Sequence, residues 1–502
     1  MPLKRYVNSE SRPATRTIDR AALRSGAVKH LAIVLAVGLL PGSYAFGQAR
    51  KYRSITWEKL KVSGPELKQI GWLAVRHARD IKSSPLSVGC ETLDRDQARF
   101  SVYKDYVGEL GVKHGRLQSG WAKCEKQKGV YDFAWLDECV HGLAEQGVAP
   151  WMCLCYGNPT YGSDLHLGAG IAAVTQNDEA FAAWLKYVEA TVKRYKDTVK
   201  RWEIWNEPNG HPCADYANLL MKTVEVIKKV QPDAEIMGLS LAGVDLKFTK
   251  GVLEILKKHD KLDCLDYITY HPYTRNPDSS YAAVDKLKGL VDSYNPEIKL
   301  YQGENGCPSI LEWTHALSHY PWTEYSQAKW FLRRLAGDRV RGIPSSAFTI
   351  IDLRYPNMLQ SFGLIRSNLL HQFIYKRPAY YAVQHLAGFF DDEAKPLGLL
   401  AHDSDCPRAI TVAGFEKEGT SVVLLWFSDQ VPSDALEWEP VDLTIRGATF
   451  RDPVYVEMIT GKVYELAASG WKADNKTVKL TKLPLWDSPV MIAERSKTTL
   501  KP

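Results

Sequence analysis

Short apolar runs recur along the chain, separated by longer segments whose apolar residues fall three and four positions apart. From residue 86 onward the runs are Leu86–Cys90, Val112–Leu117, Val148–Leu154, Val199–Trp205, Ala234–Leu239, Leu265–His271, Lys299–Gly303 and Ser345–Ile351. Runs of this length read as buried strands. Between them, Ala134–Gln146, Glu179–Tyr195, Tyr216–Val230, Lys250–His259, Tyr281–Val291 and Ser326–Ala336 carry the period of helices that bury one face. Eight β/α units in about 300 residues predict an α/β fold, a (β/α)8 TIM barrel, because parallel strands buried on both faces need helices to cover them. A doubly wound open sheet would want a glycine fingerprint after its first strand, and none is present. The glycine-rich stretch Gly162 to Gly170 lacks the GK[ST] of a phosphate loop and reads as a substrate-side loop after the third strand.

The flanks of the barrel read differently. Residues 31–40, LAIVLAVGLL, follow several basic residues and precede Pro41 and small residues, the pattern of an export signal cleaved near residue 49. The run is short for a membrane span. Residues 50–84 form a lead-in segment in which 64–80 is expected to be helical, and 85–392 hold the barrel. From about Pro407 the texture turns to short β-rich runs: Ala409–Gly414, Ser421–Trp426, Val441–Ile445, Val454–Met458, Val478–Leu480 and Val490–Ala493. Turn signals separate them, so 393–502 is expected to be a β-sandwich domain of structural role, with no repeating row of aromatics to suggest sugar capture.

Composition narrows the function classes. With 64 Lys+Arg against 58 Asp+Glu, the net charge of +6 over 502 residues is too small and too scattered for a nucleic-acid partner. Nine cysteines with no CxxC pair exclude a redox motif or zinc ribbon and suggest buried thiols with one or two disulfides. No HExxH or similar His/Asp cluster marks a metal site, and no organic cofactor is implied. Fifteen Trp and 25 Tyr exceed ordinary usage; most should be core, but flat rings also suit sugar faces.

The chemistry concentrates at two strand ends. The fourth strand closes on Trp202-Glu203-Ile204-Trp205-Asn206-Glu207-Pro208-Asn209, and the seventh on Tyr301-Gln302-Gly303-Glu304-Asn305-Gly306. In a barrel the carboxyl ends of all strands open into one mouth, so Glu207 and Glu304 can face each other across it. Paired carboxyls are what glycoside hydrolysis requires, one to protonate the leaving oxygen and one to attack the anomeric carbon or activate water. Glu203 lies within the strand and reads as structural or surface, whereas the turn into Pro208 re-aims Glu207.

WNEPN, followed about a hundred residues later by Gly-Glu at a strand end, resembles the clan A glycoside hydrolases, and most of all glycoside hydrolase family thirty-nine, with its β-xylosidases and α-L-iduronidases. Tyr270-His271-Pro272-Tyr273 is similar to that group's His-x-Tyr, Arg116 to the clan's arginine near the nucleophile, and Lys376-Arg377-Pro378-Ala379-Tyr380-Tyr381 to segments after the last strand. The resemblance covers about residues 85–390 and implies a retaining double displacement. In it Glu207 would be the acid/base, with a raised pKa, and Glu304 the nucleophile. Asn206 would hold the sugar 2-hydroxyl, Tyr273 would hydrogen-bond Glu304, Arg116 would keep Glu304 anionic, and His271 would bind a hydroxyl or orient the acid/base. The chain departs from the clan after the eighth strand, where no Trp platform appears; Tyr355, Trp313 or Trp322 could replace it. Trp121, Tyr156 and Asn158, after strands two and three, are placed to line the cleft.

The expected partner is an oligo- or polysaccharide met outside the cytoplasm, secreted or periplasmic, with no membrane attachment after signal cleavage. Two alternatives stay open: a catalytically idle sugar-binding barrel, against which two intact glutamates argue, and an inverting hydrolase, which carboxyl separation would reveal.

Overall fold

The computed structural model describes residues 67–165, 170–498 and 500–501. The expected export signal and residues 166–169 of the glycine-rich loop lie outside the described residues. The eight expected barrel strands form at Leu86–Gly89, His114–Gln118, Ala149–Leu154, Arg201–Ile204, Glu235–Ala242, Tyr267–His271, Lys299–Asn305 and Ser345–Ala347. Each pairs in parallel with the next, and the ring closes where Leu86 meets Ser345 and Ser87 meets Ser346. The six expected helices cover it, for example Asp178–Tyr195, which starts on an Asn177 cap bonded to the Ala180 N–H. Trp151, Met237 and Tyr301 fill the barrel's inside as a separate buried layer. Trp151 is fixed by an Nε1–H bond to Ser87 Oγ at 3.1 Å, and its ring lies 5.4 Å beneath the Arg116 guanidinium. This layer is the floor on which the site rests.

Seven strands downstream of the barrel and one upstream of it form one antiparallel sheet, and four further downstream strands another. Tyr455 of the larger sheet donates its hydroxyl to Pro484 O of the smaller at 3.0 Å, tying the two layers of a sandwich. Helix Glu324–Val340 is clasped between barrel and sandwich and is buried on every side. Its polar residues are paired rather than solvated: Lys329 Nζ reaches Asp487 at 2.6 Å, and Arg333 bonds Asp278 Oδ2 at 2.8 Å and Gln430 O at 2.9 Å.

Two expectations are corrected here. The lead-in helix is instead strand Lys68–Leu73, which pairs with Lys462–Glu465 and with Leu500–Lys501 in the larger sheet. Gly71 and Leu73 face inward while Trp72 faces out, a period of two that the polar residues around it disguised. The expected disulfides are absent, since all nine cysteines are free thiols. Four helices were not foreseen, the short Trp121–Cys124 and Ile171–Thr175 and the longer Phe100–Leu110 and Pro378–Phe389; the last is buried almost all round and so has no polar face to give a period.

Candidate active site

The carboxyl ends of the first, second, fourth, sixth and seventh strands supply the groups at the barrel mouth. Arg116, on the second strand, is fully buried and donates to five side chains, the longest bond being to Ser240 Oγ at 3.5 Å. Its Nε and Nη2 bond Glu203 Oε2 at 2.9 and 2.7 Å, and Nη2 also bonds Asn206 Oδ1 at 2.7 Å. Its Nη1 bonds Glu91 Oε1 at 2.9 Å and Glu304 Oε2 at 2.6 Å. Tyr273 donates its hydroxyl to the other oxygen of Glu304 at 2.8 Å. Burial, reinforced by the charge of Glu304, raises the pKa of Tyr273 well above that of an ordinary phenol, so it keeps the proton it donates.

Glu207 reaches the mouth by a backbone turn. Trp205 and Glu207 both take left-handed conformations, with φ of 66° and 53°, and the Glu207 N–H bonds Ser240 O at 2.9 Å. Such conformations cost about 1 kcal/mol or more in a residue with a side chain and persist where the surroundings dictate them. Here the turn swings Glu207 back over the strand end, as Pro208 suggested. Its Oε1 meets His271 Nδ1 at 2.9 Å, while His271 Nε2 lies 3.2 Å from Ser240 Oγ. One ligand atom from each of Glu207, His271 and Glu304 can be chosen so that all three lie within 4.8 Å of one another.

The electrostatics of this pair correct one expectation. Burial pushes the Glu207 pKa up, but the bond from His271, that residue's charge and Arg116 together hold it below the ordinary carboxylate value. For His271, burial works downward, yet the charge of Glu304 and the bond to Glu207 lift its pKa above the ordinary imidazole value. In the free protein the proton of the pair therefore sits on His271, hydrogen-bonded to Glu207, and the two titrate as a unit.

The structure brings together Arg116, Asn206, Glu207, His271, Tyr273 and Glu304. Trp121 and Asn158 are corrections, because both are buried and neither lines a cleft. Trp121 packs against Tyr161, Trp184 and Tyr187 and donates Nε1–H to Glu125 at 2.6 Å. Asn158 spends its side chain on Glu125 O and the Thr160 N–H, capping a short turn. Tyr156 is half-buried, edge-on to Trp205 and beneath Arg95. Of the platform candidates, Trp322 is buried in loop packing, Trp313 is 69% exposed, and Tyr355 stands against His315. Glu203 is structural but not at the surface, locked between Arg116 and Thr269 Oγ1, which donates at 2.6 Å.

Glu91 and Ser240 were missed. Glu91 follows Gly89-Cys90 at the end of the first strand, the same kind of position that singled out Glu304, so strand-end placement could have found it. Ser240 carries no motif. Among the described residues, Glu207, His271 and Glu304 form the only group whose donor atoms converge as metal ligands do. That set fits a cation poorly, because the Arg116 guanidinium already occupies a Glu304 oxygen. Among the described residues no helix is long and apolar enough to cross a membrane.

Residues 107–295 match the model of a family described as Glycosyl hydrolases family 39. The matched span carries Arg116, Asn206, Glu207, His271 and Tyr273, with Glu91 and Glu304 on either side of it. Among solved structures, the chain is similar to a family 39 glycoside hydrolase from the gut symbiont Bacteroides cellulosilyticus WH2, at 17% identity and a TM-score of 0.58 over 84% of this chain and 82% of that one. It is also similar to a monomeric β-xylosidase from Caulobacter crescentus CB15, at 16% identity and a TM-score of 0.54 over 85% and 97% of the two chains. A glucosidase from Croceicoccus marinus aligns at 13% identity with a TM-score of 0.51, over 85% of this chain and 99% of that one. At these identities the likeness to the solved structures is one of fold.

Proposed function

Taking the chain as a glycosidase of clan A most like glycoside hydrolase family 39, we propose that it cleaves O-glycosidic bonds of an oligo- or polysaccharide with retention of anomeric configuration. Glu304 is the nucleophile and Glu207 the acid/base. The observation that carries this reading is that an oxygen of Glu207 and an oxygen of Glu304 approach within 4.8 Å, which brings the two carboxyls close. Retaining enzymes hold their carboxyls about 5–5.5 Å apart, whereas inverting ones need about 6.5–9.5 Å to seat a water between them. The short gap also argues against an idle sugar binder, which gains nothing from crowding two acids together.

In the first displacement Glu304 attacks the anomeric carbon, oriented by Arg116 and by the Tyr273 hydroxyl on its two oxygens. The proton needed by the leaving oxygen is the one shared by His271 and Glu207, delivered through Glu207 because only that group faces solvent. Ser240 orients the far nitrogen of His271. Asn206, held by Arg116, presents its amide to the sugar 2-hydroxyl, a contact that strengthens as the ring becomes oxocarbenium-like. In the second displacement Glu207 accepts a proton from water as that water releases the sugar. The apolar run at 31–40 supports placing this reaction outside the cytoplasm.

The test is hydrolysis of a panel of aryl glycosides and polysaccharides, with product stereochemistry followed by proton NMR and Glu304→Ala run alongside. Retained configuration and collapse of turnover in the variant are expected. Inverted product would overturn the mechanism, and binding without turnover would favour the idle barrel.

A further inference from the structure

Glu91 is the site carboxyl that the double displacement leaves without a task. It is fully buried at the end of the first barrel strand. Its Oε1 accepts one bond, from Arg116 Nη1, and its Oε2 has no partner. Gly89 makes room for it, since a Cβ at that position would lie 2.2 Å from Oε2. Glu203, by contrast, receives two bonds from Arg116 and one from Thr269, and Glu304 one each from Arg116 and Tyr273. Three carboxyls thus converge on one guanidinium in a closed pocket. The titratable groups facing Glu91 are Arg116 from the second strand, Glu304 from the seventh, Cys90 and Tyr103 behind it, and Tyr273 and Tyr355 from the loops above. Arg116 is the one cation among them, and the protonated His271, 3.9 Å from Glu304 Oε2, is already paired with Glu207, so a third negative charge here would go unanswered. The proton belongs on the carboxyl with the fewest donors, which is Glu91.

We propose that Glu91 is a positioning residue for the second displacement, a neutral carboxyl whose proton leaves Arg116 free to stabilise Glu304 as that group departs from the sugar. This rests on the reading of Glu304 as nucleophile. In that step the water oxygen bonds to the anomeric carbon, and the bond from that carbon to Glu304 breaks with its electron pair passing to Glu304. The water proton goes to Glu207. Glu304 thereby regains a full negative charge 2.6 Å from Arg116 Nη1, the nitrogen it shares with Glu91. An ionised Glu91 puts a second anion on that nitrogen and makes Glu304 a poorer leaving group. Burial, opposed by Arg116 and reinforced by Glu304, pushes the Glu91 pKa up to about 7. That value holds with Glu304 anionic; in the glycosyl-enzyme the esterified Glu304 no longer raises it, so release of the sugar is expected to slow as pH rises through a lower value.

The test uses the full chain and a 2,4-dinitrophenyl glycoside of a sugar that it hydrolyses. That leaving group needs no acid, so kcat reports the second step. Wild-type kcat is expected to fall at least roughly tenfold from its maximum by about pH 8.5, and Glu91→Gln, neutral at every pH, to lose that fall. Profiles normalised to their own maxima that coincide would overturn the proposal, because a merely structural role would lower the curve without changing its shape. Should Glu91→Gln not fold, the wild type decides alone. Its 2-fluoroglycosyl adduct is located by peptide mass and its hydrolysis timed at about pH 5 and about pH 8.5. Slower release at the higher pH supports the proposal, and equal or faster release sinks it. An adduct on another residue overturns the assignment of Glu304, and the proposal with it.

Discussion

Two wholly buried arginines, Arg116 on the second barrel strand and Arg377 just ahead of helix Pro378–Phe389, are used in different ways. Arg377 meets Asp352 fork to fork at 2.7 and 2.9 Å, bonds Gly363 O at 2.6 Å, and donates its Nε–H to the half-buried Glu324 at 3.2 Å. Both Asp352 oxygens also accept backbone N–H groups, from Gly363 and Ser367. One cation therefore faces a single fully buried anion, itself well satisfied, and a second that reaches solvent, and the Asp352 pair ties the loop after the eighth strand to helix Pro378–Phe389. Arg116 has no carbonyl partner and instead serves Glu91, Glu203 and Glu304, an excess of carboxyls over cations. Buried charge alone thus says little about function. The balance of charges does, because an unbalanced cluster is one whose groups change protonation or bonding cheaply.

The comparison is broken most severely at Glu304. Glu304→Ala is expected to lower kcat by at least about 10⁴-fold, as removal of a nucleophile does, measured on an aryl glycoside with a poor leaving group. Glu207→Ala should cost about 10²–10⁴-fold on the same substrate, and far less in the first step with a dinitrophenyl leaving group that needs no proton.

Exchanging the arginines sharpens the contrast. Arg377→Met leaves Asp352 buried and unpaired, a loss of about 3–5 kcal/mol seen in denaturant midpoint, while kcat per folded molecule is retained. Arg116→Met should lose both stability and turnover. Equal losses of kcat in the two variants would erase the distinction. Tyr273→Phe removes a donor to a charged acceptor worth about 1.5–3 kcal/mol, so kcat should fall about 10- to 100-fold.

The proton on the His271–Glu207 pair sets a pH limit. A raised imidazole pKa holds its proton, and the stabilisation that goes with it, at low pH and loses both as pH climbs through the folded value. The alkaline limb of kcat/KM for unactivated substrates should therefore lie above the ordinary imidazole value of 6.5. His271→Gln should remove it, and a limb at or below that value would refute the pairing. The smallest effect is expected at Trp121→Phe, which should lower stability by about 1–3 kcal/mol through lost packing and the orphaned Glu125 contact. KM should be unchanged, since Trp121 does not reach the cleft.

Much of the barrel was legible because its strands are buried on both faces and its helices on one, and each condition leaves its own period. Helix Pro378–Phe389 and strand Lys68–Leu73 escaped for the converse reason. One is buried on nearly every side, and the other takes its partners from residues about 390 and 430 positions away. At the site, Glu207 and Glu304 announced themselves through strand-end motifs, and Arg116, His271 and Tyr273 through resemblance. Trp121 and Asn158 were misplaced because proximity to a strand end does not say whether a side chain turns into the mouth or back under the helices.

The amino-acid sequence by itself determined the alternation of strands and helices, the barrel they close into, and the strand ends from which the two glutamates come. Those follow from local periodicity and from the rule that all carboxyl ends share one mouth. Only the tertiary structure decided that Glu91 joins Glu203 and Glu304 on a single guanidinium, and that His271 rather than Glu207 holds the proton of their pair. Charge balance in a buried cluster depends on distances between residues far apart in the chain, and no local pattern encodes those distances.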